Sequence, residues 1–289
     1  MLQLADKVLP INEQKILDDL QSKVDAEADF SAKAEKAKNL WKTKGDTAGK
    51  LAFEKISKIL MDMCVSVKTC NYCEQNEAND IEHIYPKSFF PEMSFRWNNY
   101  LLACKQCNSG YKLDKCFVID KNGIIISTVR GEEPLHKIVA LINPRIEDPN
   151  NFLWLNTAVW LFEVHEDLSH IDLNKATKTL EILELNNRDY LIEGRKNVYG
   201  QIFDIMDRIS RIIQSDNIQQ IEQALAPYHN IIDTTLPIDD LKAQIIETTK
   251  QHIFKLPHPS VWNAIKTISS KIEPRWIEIF QILPYANNW

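Results

Sequence analysis

The chain has only seven glycines in 289 residues, too few for a turn-rich all-β protein. Its Leu, Ile, Lys and Glu recur at helical spacing instead, which points to a helical protein. It has no Gly/Ser linker, no internal repeat and no low-complexity tract. No uncharged apolar run approaches the length of a membrane span. The N-terminus, MLQLADKVLPINEQK, lacks the basic start and apolar run of a signal peptide, so a cytoplasmic protein is expected. In that compartment six cysteines are not expected to form disulfides. An excess of basic charge is also missing: the net charge is −6. The distribution is less even than the sum, because residues 31–58 hold eight lysines against three acids. A basic front of this kind attracts phosphate, although a solvated helix face would look the same. The acidic remainder would repel a nucleic-acid backbone and suits a protein partner.

Residues 12–27, 31–43 and 48–63 read as amphipathic helices, the third capped by Asp46 or Thr47. Residues 80–85 alternate as a strand that Pro86 ends, and 97–103 look like its partner. A helix is expected from about Gln106 past Lys112. FVIDKNGIIISTV at 117–129 has the turn Lys121-Asn122-Gly123 of a hairpin. Residues 142–151 carry two prolines and mark a candidate boundary, and 152–165 are strand-like around Asn156-Thr157. Thereafter helices are expected at 174–185, 187–214, 216–229, 237–254 and 259–283. The fold class is therefore mainly α with some β, an α+β arrangement with a C-terminal helical domain. The division expected is 1–63, a basic helical segment; 64–142, a cysteine-bearing module; and 143–289, a short hairpin with the helical domain.

Within the module, Cys70-x2-Cys73 and Cys104-x2-Cys107 have the spacing of a four-thiolate zinc site. Two intervening residues let both sulfurs of a pair face one ion, and the second pair completes the tetrahedron. Such a site leaves zinc no open position, so its role is structural. Cys64 and Cys116 are expected to be buried thiols. Between the pairs, Glu82 offers an oxygen ligand for Mg²⁺ or Mn²⁺, and His83 a base that is neutral at physiological pH. Asn108 adds a second oxygen at a helix start. Glu82 and His83 are strand neighbours with opposite facings, so a bend or bulge is expected if both serve one site. His165, Glu166, Asp167, His170 and Asp172 read as solvated loop residues. Trp154, Trp160, Trp262, Trp276 and Trp289 read as core or interface aromatics.

The order Glu82-His83-Ile84-Tyr85-Pro86, Asn99-Tyr100-Leu101-Leu102, Cys104-x2-Cys107-Asn108 resembles the HNH (ββα-metal) endonuclease family in its four-cysteine zinc form. The resemblance implies a small ββα-metal nuclease module. It makes Glu82 the first ligand of the catalytic ion, with Asp80 the alternative, and Asn108 the second. It makes His83 the general base and Asn99 the residue that orients it, or Asn98 if the register slips. It adds Lys112, Lys87 and Lys105 as nucleic-acid contacts. In the family a lysine commonly follows the asparagine by three residues; here Tyr111 stands there and Lys112 comes next. Trp41, Asn143-Pro144, Asp148-Pro149 and 176–196 extend the resemblance to HNH subunits of bacterial anti-phage defence, the Septu type (PtuB), also found as a retron effector. That implies hydrolysis of nucleic acid, DNA rather than RNA, beside a PtuA-like ATPase of the ABC/SMC kind. The competing expectation is a zinc-stabilised nucleic-acid-binding or scaffold module without chemistry.

Overall fold

The structure is a computed structural model that describes residues 1–225, 233 and 235–289, with the side chains of 224 and 225 left aside. It is mainly helical with small sheets, and its backbone divides into two compact units. The first comprises Met1–Trp154 and Phe162–Leu191, the second Leu155–Leu161 and Ile192–Trp289. Among the described residues no helix is long and apolar enough to cross a membrane.

In the first unit α1 (Ile11–Asp25), α2 (Phe30–Thr43) and α3 (Thr47–Met61) pack on one another. Their boundaries follow local chemistry. The Asp29 carboxylate accepts from Ala32 N–H to start α2, and the Asp46 carboxylate from Gly49 N–H at 2.8 Å to start α3. The inward stripe of Leu17, Leu20, Val24, Phe53, Ile56 and Leu60 is buried, and apolar burial of this kind supplies the driving force. The helices pack against an antiparallel pair, β1 (Asp80–His83) and β2 (Tyr100–Ala103). Both strands are shorter than expected. Residues 97–99 form a 3-10 turn instead of extending β2. The expected helix at 106 is a π-helical turn, Gln106–Lys112.

Strands β3 (Phe117–Ile119), β4 (Ile125–Ser127) and β5 (Ile138–Val139) make a three-stranded sheet ordered β4-β3-β5. The hairpin between β3 and β4 turns at Gly123, whose φ of +87° is the left-handed region that glycine enters freely. The proline-bearing loop at 142–151 is held by Arg145, buried at 5% exposure, whose guanidinium donates to the carbonyls of Trp97 and Tyr100 and to Asp6. Strands β6 (Leu153–Asn156) and β7 (Leu161–Val164) follow. Helix α4 (His170–Leu183) begins four residues earlier than expected, because the Ser169 hydroxyl accepts from Asp172 N–H at 3.1 Å. His170 and Asp172 are thus first-turn residues and not loop.

Helix α5 (Asp189–Gln214) leads into the second unit, which contains α6 (Ile218–Leu225) and α7 (Ile238–Lys255). The helix expected at 216–229 runs partly outside the described residues. The one expected at 259–283 is broken into α8 (Pro259–Ala264), a π turn (Ile265–Ser269), α9 (Ser270–Ile272) and α10 (Pro274–Ile282). Pro274 explains the last break, since it cannot donate a helical hydrogen bond and clashes with the preceding turn. Trp160, Tyr199, Trp276, Phe203 and Phe280 form a chain of aromatic contacts there, with Trp276 1% exposed.

Candidate metal centre and acid–histidine site

The open end of the β1–β2 pair carries the four cysteines. Cys70 N–H bonds to Asn76 O and Glu74 N–H to Cys70 O, both at 2.8 Å, which curls Cys70–Cys73 into a tight knuckle. Asn71 ties that knuckle to β2, its N–H and side-chain amide both donating to Leu102 O. The second pair begins where β2 ends, and Cys107 N–H points at Cys104 Sγ. All four cysteines are buried, and their sulfurs lie within 4.8 Å of one another. Zinc–sulfur bonds of about 2.3 Å in a tetrahedron require sulfurs about 3.8 Å apart. The Cys73–Cys104 separation is 3.9 Å. Donor type, number and spacing therefore fit a metal ion such as zinc. Cys64 and Cys116 are not in the cluster.

Sequence reasoning missed the second layer of this centre. Arg188, 3% exposed, donates to Cys107 Sγ at 3.5 Å and stacks on Tyr111 with 4.5 Å between guanidinium and ring centre. Asn76 donates to Cys104 Sγ at 3.7 Å. A four-thiolate zinc carries two negative charges, and such donors stabilise it. Nothing in the Asn186-Asn187-Arg188 text signals this, because 81 residues separate Arg188 from Cys107.

The other end of the pair carries Glu82 and His83. Their pairing is unbroken, Glu82 opposite Leu101 and His83 opposite Tyr100, so the expected bulge is not there. Alternation sends Asp80 and Glu82 to one face, where they meet the π turn. Asn108 donates to Asp80 at 3.4 Å, and Lys112 sits 2.5 Å from Glu82. His83 faces the other way, towards Tyr100 and Trp41, with 4.2 Å between its ring centre and that of Trp41. Both residues nevertheless line one cavity of about 640 Å³, because β1 is an edge strand and the cavity wraps round it. Helix α2 walls one side and the π turn the other, which also brings in Lys38, Trp41, Lys87, Asn108, Lys112 and Arg130.

His83 is 6% exposed, and its Nε2 lies 3.0 Å from Ser94 O. A carbonyl only accepts, so Nε2 carries the proton and Nδ1 is left as the basic atom. Burial, and then the positive charge of Lys87, hold the imidazole well below its ordinary range. Burial pushes the Glu82 carboxyl up, while Lys112 opposes it. Asn99, wholly buried, accepts from Tyr85 N–H at 2.7 Å and donates to Tyr85 O and Met93 O. It thus acts on His83 through the loop that carries Ser94. Asn98 is exposed. Tyr72, fully buried, lies beside Glu82 and the cysteines, and burial followed by the negative charge of Glu82 raises its phenol well above the usual range.

The three lysines expected to meet nucleic acid differ. Lys87 lines the cavity, Lys105 is exposed and outside it, and Lys112 is 2% exposed and already paired. Lys112 reaches the site despite its late position because the turn is π-helical. Leu113 N–H bonds to Asn108 O at 2.7 Å, an i→i+5 bond that widens the turn. Lys38, Lys44 and Arg130 were not anticipated as individual contributors. Lys44 Nζ sits 3.0 Å over the Trp41 ring, and burial pushes it down to about 7.

No protein-family model matches the chain, and no solved structure matches it. The curated protein "Septu protein PtuB" of Bacillus thuringiensis is 25% identical over 168 residues, 56% of this chain and 53% of that protein. The chain therefore spans about half the length of the curated relative it matches, and it is distantly similar to a Septu PtuB protein while carrying four buried cysteines placed to hold a metal ion.

Proposed function

We propose that the protein is a metal-dependent HNH endonuclease that hydrolyses phosphodiester bonds of nucleic acid. The observation that carries this reading is a buried, neutral His83 that lines one cavity with Glu82 and Asn108, at the end of a hairpin closed by four cysteines. The cysteines hold structural Zn²⁺. Glu82 and Asn108 supply oxygens suited to Mg²⁺ or Mn²⁺, with Asp80, hydrogen-bonded to Asn108, beside them. The fit is marked by a cation already in place, since the Lys112 ammonium sits on Glu82. When bound, the divalent ion would stabilise charge on the phosphate and on the departing 3′ oxygen. His83 Nδ1 takes a proton from the attacking water. Asn99 keeps the ring in place by holding the loop around Ser94, whose carbonyl fixes the Nε2 proton. Lys87 favours a phosphate in the cavity, where Lys38 and Arg130 are each paired with an acid, Glu35 and Asp114.

The distant similarity to PtuB supports a place in anti-phage defence beside an ABC/SMC-type ATPase, PtuA-like in kind. Co-purification from the native gene neighbourhood tests that partner. His83→Ala tests the chemistry: cleavage under Mg²⁺ or Mn²⁺ should drop about 10²–10⁴-fold with zinc content and fold unchanged. Undiminished cleavage by clean His83→Ala protein would remove His83 from the mechanism. One observation favours a second reading, a zinc-stabilised nucleic-acid-binding module without chemistry: Glu82 is occupied by Lys112. Binding of DNA without cleavage, with and without the partner, would select it.

A further inference from the structure

Lys112 is a lysine whose side chain is 2% exposed, in contact with a carboxylate that is 4% exposed. Its Nζ lies 2.5 Å from Glu82 Oε1 and 2.8 Å from the backbone oxygen of His83. A carboxylate and a carbonyl oxygen thus converge on one positive centre, the arrangement a hard divalent ion selects. An ammonium and a divalent ion cannot share one buried carboxylate oxygen without strong repulsion, since charges interact strongly in a poorly solvated site. The lysine also has somewhere to go. It lines the 640 Å³ cavity, and the next residue, Leu113, is 59% exposed and ends the π turn with a φ of +47°. Rotation of the flexible stem into that cavity frees Glu82 without moving the strand, and it leaves the ammonium facing the phosphate side of the site.

We propose that Lys112 is a cation latch on Glu82: it satisfies the carboxylate in the resting protein, and a divalent ion binds there only as the ammonium withdraws into the cavity. This rests on the reading of Glu82 as a ligand of the catalytic ion. The latch lowers apparent ion affinity by the fraction of time it is open, so one open about a tenth of the time weakens binding about tenfold. Lys87 provides a comparison within the same cavity: its charge also acts on Glu82, but among the described residues the close ion pair on Glu82 is formed by Lys112.

The test uses the full zinc-loaded chain and Mn²⁺, with free Mn²⁺ followed by its electron paramagnetic resonance signal. Lys112→Met should tighten Mn²⁺ about tenfold, Lys87→Met should tighten it much less, and Glu82→Gln should abolish binding. Because Lys112→Met leaves a carboxylate unpaired and risks misfolding, a second measurement uses the unaltered protein. Acetylation of lysines, quantified by mass spectrometry, should find Lys112 protected without Mn²⁺ and several-fold more reactive at saturation. If Glu82→Gln abolishes binding but Lys112 keeps its protection, or if Lys87→Met tightens as much as Lys112→Met, the latch is wrong while Glu82 stands as a ligand. If Mn²⁺ binding is absent, or indifferent to Glu82→Gln, the ligand reading and the latch fall together.

Discussion

The two ends of the β1–β2 pair make an instructive contrast. At the Asp80–Ala103 end, four sulfurs lie within 4.8 Å of one another, and Arg188 and Asn76 donate to them from outside. At the His83–Tyr100 end, the acid is capped by Lys112, the imidazole donates to Ser94, and the loop is pinned by Asn99. The first end is arranged to receive an ion and keep it. At the second, Glu82 is already paired with an ammonium and His83 Nε2 with a carbonyl oxygen. A closed thiolate site gains folding energy from its metal, whereas a site for an exchangeable ion must stand without it. The hairpin thus carries the cysteine cluster at one end and the acid–histidine pair at the other, with Tyr72 buried between the two.

That contrast can be broken at its strongest point first. Cys104→Ser should abolish stoichiometric zinc and unfold the region around 64–116, because structural zinc contributes on the order of 10 kcal/mol to such sites. Zinc analysis with a thermal melt reads this, and a variant that melts like the parent would show that the corner does not depend on metal. Asn99→Ala should strike the other end alone. It strands Tyr85 N–H, Tyr85 O and Met93 O, and each buried orphan costs about 1–3 kcal/mol. We expect a lower melting temperature and lost cleavage with zinc content intact.

A smaller effect is expected from Arg188→Met, which keeps the bulk near Tyr111 but removes the donor to Cys107. Zinc affinity should fall about tenfold in a chelator competition, while Mn²⁺ binding at Glu82 should not change. A pH-dependent effect is expected at Lys44. Burial pushes its ammonium from an ordinary 10.5 down to about 7. Between those values the unfolded chain holds a proton that the folded one has released, so stability from this group rises with pH and is lowest below 7. Lys44→Gln should therefore raise the melting temperature below pH 7, with the gain shrinking as pH climbs towards 10.5. A difference independent of pH would remove burial of the charge as its cause.

The parts legible from residues alone were those set by short spacing. Two C-x-x-C pairs announce a shared ion, since two residues bring both sulfurs to one side. Asp46 and the stripe from Leu51 to Leu60 announce α3, although Leu51 itself is 56% exposed. Pro274 is legible in the sequence too, and it breaks the helix expected over 259–283. What could not be read involved contacts across long stretches of chain. The Lys112–Glu82 pair depends on a π turn, and no local propensity distinguishes that from an α turn. Trp41 against His83 depends on how α2 packs over an edge strand 42 residues later, and nothing within its own helix names that partner. The expected bulge failed for a related reason: strand alternation says where side chains point, but not that a cavity can wrap round an edge.

By itself, the sequence determined the chemistry available: four thiolates in two knuckles, an acid beside a histidine, asparagines at the strand and helix junctions, and helices wherever apolar residues recur at helical spacing. Each follows from covalent order, because residues within a few positions of one another can explore few relative placements. Only the tertiary structure decided that the acid is paired with Lys112, that Arg188 donates to a sulfur, and that Trp41, with Lys44 over its ring, packs on the histidine. Those contacts join residues far apart in the chain, and long-range contacts are selected by the packing of whole elements rather than by their own pairwise attraction.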